Sequence, residues 1–153
     1  MGLDPDFSEF VACCIAREVR FLIVGGYALA VHGMPRFTKD LDVWVANDHA
    51  NAQMLVLALE DFGFSRLDLR VEDFTEPDAV VQLGFPPLRI DLLTGVDGVG
   101  FDDCYPRRVV VMINSTIAAP FLHVDDLLRN KRASGRPQDL ADVAALERAR
   151  NDA

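Results

Sequence analysis

Apolar side chains at Phe7, Phe10, Val11, Cys14 and Ile15 recur at i, i+3, i+4, i+7 and i+8, the spacing of one helical face. Asp6 followed by Glu9 has the D-x-x-E form that caps such a helix. The pattern then changes to an unbroken apolar run, Phe21-Leu22-Ile23-Val24, closed by Gly25-Gly26; this predicts a buried strand entering a tight turn. Small apolar residues from Tyr27 to Val31 predict a helix laid against that strand, broken by His32-Gly33-Met34-Pro35. Leu41, Val43 and Val45 alternate with Asp40, Asp42 and Trp44, which is the period of a strand with acids on one face. Asn47 or Asp48 can open a helix carrying Ala52, Leu55, Leu59 and Phe62, and Gly63 suits its C-terminal end.

After a weakly patterned segment ending at Pro77, Val80 to Leu83 and Leu88 to Leu93 predict two strands joined across Gly84-Phe85-Pro86-Pro87. Gly95 to Pro106 reads as a loop with room for one helical turn. Val109 to Ile113 is a further strand, and Thr116 to Ala119 a short one. From His123 the pattern is helical through Leu127 and Leu128 to a break at Ser134-Gly135-Arg136. Pro137 then suits the first turn of a last helix carrying Leu140, Val143, Ala144 and Leu146. The predicted class is α/β (α+β): a mixed twisted sheet with flanking helices and a C-terminal helical pair. No repeat or linker divides it, so one domain is expected over 1–153, with a sheet-containing core over 1–120 and helices over 121–153.

Composition narrows the function classes. The chain of 153 residues carries 15 Lys+Arg against 24 Asp+Glu, a formal net charge of −9. A surface this acidic predicts no bulk nucleic-acid binding and no attraction to anionic membrane, so any such contact needs a local basic patch. Lys131, Arg132, Arg136, Arg107 and Arg108 are the residues that could form one. No uncharged stretch reaches the ~18 apolar residues of a membrane helix, and the opening Met1-Gly2-Leu3-Asp4-Pro5-Asp6 is acidic where a signal peptide is basic. Three cysteines cannot all pair internally, which suits a reducing compartment; a cytoplasmic location is expected.

The stretch from Gly25 to Asp42 carries the chemistry. Residues i and i+2 of a strand share a face about 7 Å apart, so Asp40 and Asp42 stand together while Leu41 and Val43 pack behind them. Two close carboxylates repel, and a divalent cation such as Mg²⁺ relieves them; a half-exposed strand with solvated acids is the equally simple alternative. Gly25-Gly26 lets backbone N–H groups approach a phosphate without a Cβ in the way, or merely supplies positive φ to a turn. Asp91 is an acid inserted between Ile90 and Leu92, and Arg89, on its own face, is available as an ion-pair partner.

Together the glycine pair, the D-x-D fourteen residues after Gly26 and the lone strand acid resemble the polymerase-beta-like nucleotidyltransferase superfamily. Closer still is the resemblance to small bacterial nucleotidyltransferase-like proteins related to abortive-infection toxins. Their form G-G-[YW]-A followed by H-G-x-x-R-x-T-x-D-L-D is matched by Gly25-Gly26-Tyr27-Ala28 and by His32 to Asp42. The ending K-x-x-x-x-R-x-x-D-L-x-D is matched by Lys131, Arg136, Asp139, Leu140 and Asp142. The resemblance implies a nucleotidyltransferase fold and transfer of a nucleoside monophosphate from a nucleoside triphosphate to a hydroxyl acceptor. Asp40, Asp42 and Asp91 would be catalytic and would hold two Mg²⁺ ions. Gly25, Gly26, Arg36, Thr38, Lys39 and Lys131 would contact the nucleotide. Gly26 departs from the commoner G-S form, in which a serine hydroxyl meets phosphate. A cognate antitoxin or toxin protein is the implied partner, and an inactive nucleotide- or partner-binding module of such a two-gene system is the alternative.

Other residues read more plainly. Lys131 on a helix is by default exposed, and Asp139 and Asp142 near a helix start are favoured there by its dipole. His32 reads as a hydrogen-bonded scaffold residue, Trp44 and Tyr27 as core or rim aromatics that could stack a base, and Cys13-Cys14 as small core residues.

Overall fold

The short run Phe21–Val24 (β1) is apolar at every position because it is covered on both faces, and all four residues are buried. It lies near the middle of a six-stranded sheet in a computed structural model that describes residues 2–34, 38–64, 68–85 and 88–152. The other strands are Asp40–Val45 (β2), Val80–Phe85 (β3), Leu88–Leu93 (β4), Val109–Met112 (β5) and Ala118–Phe121 (β6). Their order is β3-β4-β2-β1-β6-β5. β1 pairs antiparallel with β2 and parallel with β6, while β2 pairs parallel with β4. The sheet is therefore mixed, as expected.

Helices Pro5–Ala16 (α1), Gly25–Val31 (α2), His49–Phe62 (α3), Phe101–Cys104 (α4), Val124–Ser134 (α5) and Pro137–Asn151 (α6) flank it. None of the described helices is long and apolar enough to cross a membrane. α1 and α3 pack through the Phe10–Phe62 edge contact at 5.6 Å and the Arg17–Asp61 ion pair at 2.6 Å. Asp48 caps α3 by accepting from the Asn51 N–H at 3.0 Å, and Gly63 ends it at φ +111°, both as the sequence predicts. α1 is capped differently. Asp4, not Asp6, accepts a backbone N–H, that of Asp6 at 2.9 Å, because Pro5 occupies the first helical position. β6 runs to Phe121, beyond the Thr116 to Ala119 expected for it. Trp44, on the acid-bearing side of β2, is a core residue that meets Phe101 of α4 edge-on at 5.3 Å.

The last helix departs most from its apolar pattern. Leu140 is 49% exposed and Ala144 is exposed, while Asp139, Asp142, Val143 and Leu146 are buried. The buried face of α6 keeps Val143 and Leu146 but takes Asp139 and Asp142 in place of Leu140 and Ala144. The cause is polar: Asp139 and Asp142 turn inward to meet Lys131 of α5, at 3.4 and 2.9 Å. One continuous cluster of buried residues runs from Leu3 to Leu146.

Candidate active site

Parallel pairing of β2 with β4 sets Asp42 opposite Asp91 and Asp40 opposite Arg89. Side chains at paired positions of neighbouring strands share a face, with strands ~4.8 Å apart. Asp40, Asp42 and Asp91 therefore gather on one surface although Asp91 lies 49 positions beyond Asp42 in the chain. Leu41 and Leu92, of the opposite parity, are fully buried and anchor both strands, and Ile90 beside them is nearly so.

Arg89 sits inside the acid group. Its Nη2 donates to Asp40 Oδ2 at 2.9 Å and to Asp91 Oδ2 at 3.2 Å, and its Nε donates to Asp91 Oδ1 at 2.9 Å. Hydrogen bonding to Asp91 and the three nearby carboxylates raise the guanidinium's pKa further, against some desolvation. Asp42 lies outside this ion pair, and its pKa is pushed up to about 6. Burial is the main cause, followed by the charges of Asp91 and Asp40; Arg89 offsets part of it. The three acids thus outnumber the cation beside them. As the side chains stand, no group of three or more carboxylate, imidazole or thiol side chains among the described residues is arranged to hold a metal ion. Arg89 takes up oxygens of Asp40 and Asp91 in its place. The donor set still fits a hard divalent cation, since it is made of oxygens alone and carries excess negative charge at Asp42.

The glycine turn closes one side of this group. Val24 pairs with Asp42, and Gly25 follows at φ +68°, where a Cβ would run into Asp42 Oδ2. Glycine is needed there twice over, for conformation and for space. Gly26 faces Thr38, and an ideal Cβ on it would lie 2.9 Å from Thr38 Cβ and 3.0 Å from Thr38 Oγ1. Thr38 thus fills the space that a serine side chain at position 26 would enter, and brings a hydroxyl to it. That hydroxyl donates to Asp40 O at 3.2 Å, tying the turn to the start of β2. Lys39 is exposed and forms no ion pair among the described residues. Arg36 lies outside the described residues.

Lys131 of α5 closes the other side, but not as an exposed lysine. It is 9% exposed, and its ammonium is held by Asp139 and Asp142. Asp139 also accepts from Ser134 Oγ at 2.6 Å and Arg136 Nε at 2.7 Å, and Asp142 accepts from Gln138 Nε2 at 3.0 Å. Burial works against the Asp139 charge, yet the bonds from Ser134 and Arg136 and the nearby Lys131 hold its pKa down to about 2. Between this cluster and the sheet lies a recess of about 410 Å³, bounded by Gly25, Asp42, Val96, Asn130, Lys131 and Arg136. A second, of about 320 Å³, adjoins it along Gly25, Gly26, Lys131 and Gln138.

Sequence reasoning noticed Arg89 only as an available partner; its signal was the shared parity with Asp91. It missed Asn130, Ser134 and Gln138, which carry no local pattern. The five basic residues set out as a possible nucleic-acid patch are otherwise engaged. Arg107 pairs with buried Asp126 at 2.9 Å, Arg132 pairs with Glu147, Lys131 and Arg136 hold the α6 acids, and Arg108 lies 4.1 Å over the Tyr105 ring. His32 is a scaffold residue, its Nε2 2.7 Å from Leu122 O. Tyr27 packs edge-on against Phe7 at 6.1 Å.

No protein-family model and no curated protein matches the sequence. Among solved structures, the chain is similar to TM1012 of Thermotoga maritima, provisionally named a nucleotidyltransferase, with a TM-score of 0.57 at 13% identity over 96% of this chain and 91% of that one. This likeness does not extend to the toxin-related subgroup that the motifs resemble. At such low identity it is one of architecture, and the chain has the nucleotidyltransferase fold.

Proposed function

We propose that the chain is a Mg²⁺-dependent nucleotidyltransferase that moves a nucleoside monophosphate from a nucleoside triphosphate to a hydroxyl acceptor. The observation that supports this reading most is the in-register meeting of Asp42 and Asp91, with Asp40 beside them and the side-chain-free Gly25 against Asp42. Asp40, Asp42 and Asp91 would hold Mg²⁺, which would neutralise triphosphate charge and stabilise the entering and leaving oxygens of an in-line displacement.

The chain's own groups do the rest. The first N–H groups of α2 lack intrahelical acceptors and are available to phosphate oxygens at Gly25 and Gly26. The Thr38 hydroxyl would add a side-chain donor by turning away from Asp40 O. Lys39 and Arg36 are the cationic candidates around the triphosphate, and Lys131 would join them only by loosening its hold on Asp139 and Asp142. The acceptor oxygen bonds to the α-phosphorus, the bond from that phosphorus to the β-phosphate bridging oxygen breaks, and pyrophosphate leaves. Asp91 takes the acceptor's proton. Positioning and charge neutralisation supply most of the rate in such transfers. The three unpaired thiols, Cys13, Cys14 and Cys104, favour a reducing, cytoplasmic setting.

A specific observation favours a second reading. Arg89 already occupies oxygens of Asp40 and Asp91, which a catalytically inactive nucleotide- or partner-binding module of a toxin–antitoxin type system would have no need to free. Incubation of a lysate with α-labelled ATP, CTP, GTP or UTP and Mg²⁺ separates the two. An enzyme transfers label to an acceptor, and Asp42→Asn abolishes the transfer. Equal labelling by wild type and Asp42→Asn removes the catalytic assignment.

A further inference from the structure

Arg89 is placed unusually for a structural ion pair. Its guanidinium spans two strands, meets Asp91 through two nitrogens and Asp40 through one of the same two, and leaves Asp42 short of countercharge. Its side chain is 30% exposed, and neighbouring Asp42 opens onto the recess beside Lys131. The bond to Asp40, whose side chain is 38% exposed, is worth little net energy because water and salt compete for both partners, while the two bonds to buried Asp91 are better shielded. The same two carboxylates, with Asp42 added, are a better match for a small divalent ion than for a planar fork that reaches only two of them.

We infer that Arg89 is an exchangeable internal cation: it holds the acids together in the metal-free protein and is displaced from Asp40 and Asp91 when a divalent ion enters. This rests on the proposed nucleotidyltransferase reading and adds a residue that sets metal affinity. Without Arg89 the three carboxylates repel, so the metal-free protein is destabilised. With Arg89 present, an entering ion must break its bonds, so the apparent affinity is weakened. A purely structural Arg89 would lower metal affinity by its charge alone and would keep its bonds to Asp40 and Asp91 in the metal-bound protein, so the fate of those bonds is what separates the two.

The test is Mn²⁺ binding by electron paramagnetic resonance and Mg²⁺ titration of the full chain, comparing wild type with Arg89→Gln and Arg89→Lys. The expected result is that Arg89→Gln binds Mn²⁺ about tenfold more tightly, with Arg89→Lys in between because ammonium keeps the charge but not the fork. In the wild type, ¹⁵N spectra of the arginine Nε–H groups should show one resonance, missing in Arg89→Lys, whose proton exchanges with solvent faster once Mg²⁺ is added, as its bond to Asp91 is lost. This measurement serves even if Arg89→Gln fails to fold. Metal binding with unchanged affinity in Arg89→Gln, or an Arg89 Nε–H that stays as protected from solvent exchange with Mg²⁺ bound as without it, overturns the exchange while sparing the metal site. Absence of Mn²⁺ binding in every form overturns both.

Discussion

Two clusters of acids face each other across the recess, and they are built on opposite charge balances. On the sheet, Asp40, Asp42 and Asp91 share a single guanidinium, and the Asp42 pKa rises to about 6. On the helical pair, Asp139 and Asp142 share Lys131 and Arg136, with Ser134 and Gln138 donating as well, and the Asp139 pKa falls to about 2. The sheet acids are the more exposed, with the Asp40 side chain at 38% against 7% for Asp139 and 2% for Asp142, so burial alone does not explain why the raised pKa lies on the sheet. Countercharge does. The helical cluster is satisfied and serves to lock α6 onto α5. The sheet cluster is underneutralised, as the proposed cation site requires.

The sharpest way to break this contrast is Lys131→Met, which leaves two buried carboxylates facing each other. Removing one partner of a buried pair costs about 3–5 kcal/mol, and at about 2–4 °C per kcal/mol for a chain of this size the melting temperature should fall by roughly 10 °C. A loss below 1 kcal/mol in urea titration would mean that the lysine is free for a substrate. Gly25→Ala comes next. It forces a Cβ into Asp42 at φ +68°, and should cost about 1–3 kcal/mol while abolishing Mn²⁺ binding by calorimetry.

The third prediction uses proton linkage, with opposite signs at the two clusters. The folded-state pKa of Asp42 is raised, from 3.8 to about 6, so folding is penalised as pH climbs through that window and the penalty is complete above it. Asp42→Asn should therefore melt higher than wild type at pH 8, by an amount on the order of 2 kcal/mol, and equally below pH 4. Asp139 is depressed from 3.8 to about 2, so its stabilisation is present above pH 4 and is lost as pH falls through that lower window. Asp139→Asn should melt lower than wild type at pH 7 and converge with it near pH 2. Matching pH profiles for the two variants would erase the distinction. The smallest effect is expected from Arg136→Ala. Arg136 is 77% exposed, and its removal should cost about 0.2–1 kcal/mol in a denaturation experiment.

These expectations show how unevenly the sequence speaks. The D-x-D parity of β2, the apolar run of β1 and the glycine turn were legible because strand and turn patterns are local. The Gly63 and Gly135 helix ends, at φ +111° and +65°, were legible for the same reason. The Asp4 cap was missed because the Asp6-Glu9 signal competes with it two residues later. On α6 Val143 and Leu146 are buried as read, but Leu140 and Ala144 are not, because apolar periodicity gives no weight to a buried aspartate. Leu140 was assigned to the core, yet the ion pairs to Lys131 turn Asp139 and Asp142 inward in its place.

The amino-acid order by itself determined the elements, the excess of acid and the pairing of two carboxylates on one strand face. Each depends on residues within a turn or two of one another, where backbone periodicity alone sets direction. Only the tertiary structure decided that β4 lies beside β2, in the register that puts Asp91 opposite Asp42 and Arg89 opposite Asp40. Strand neighbours that distant in the chain are chosen by how whole layers pack, and a shift of one position would have sent Asp91 and Arg89 to the other face.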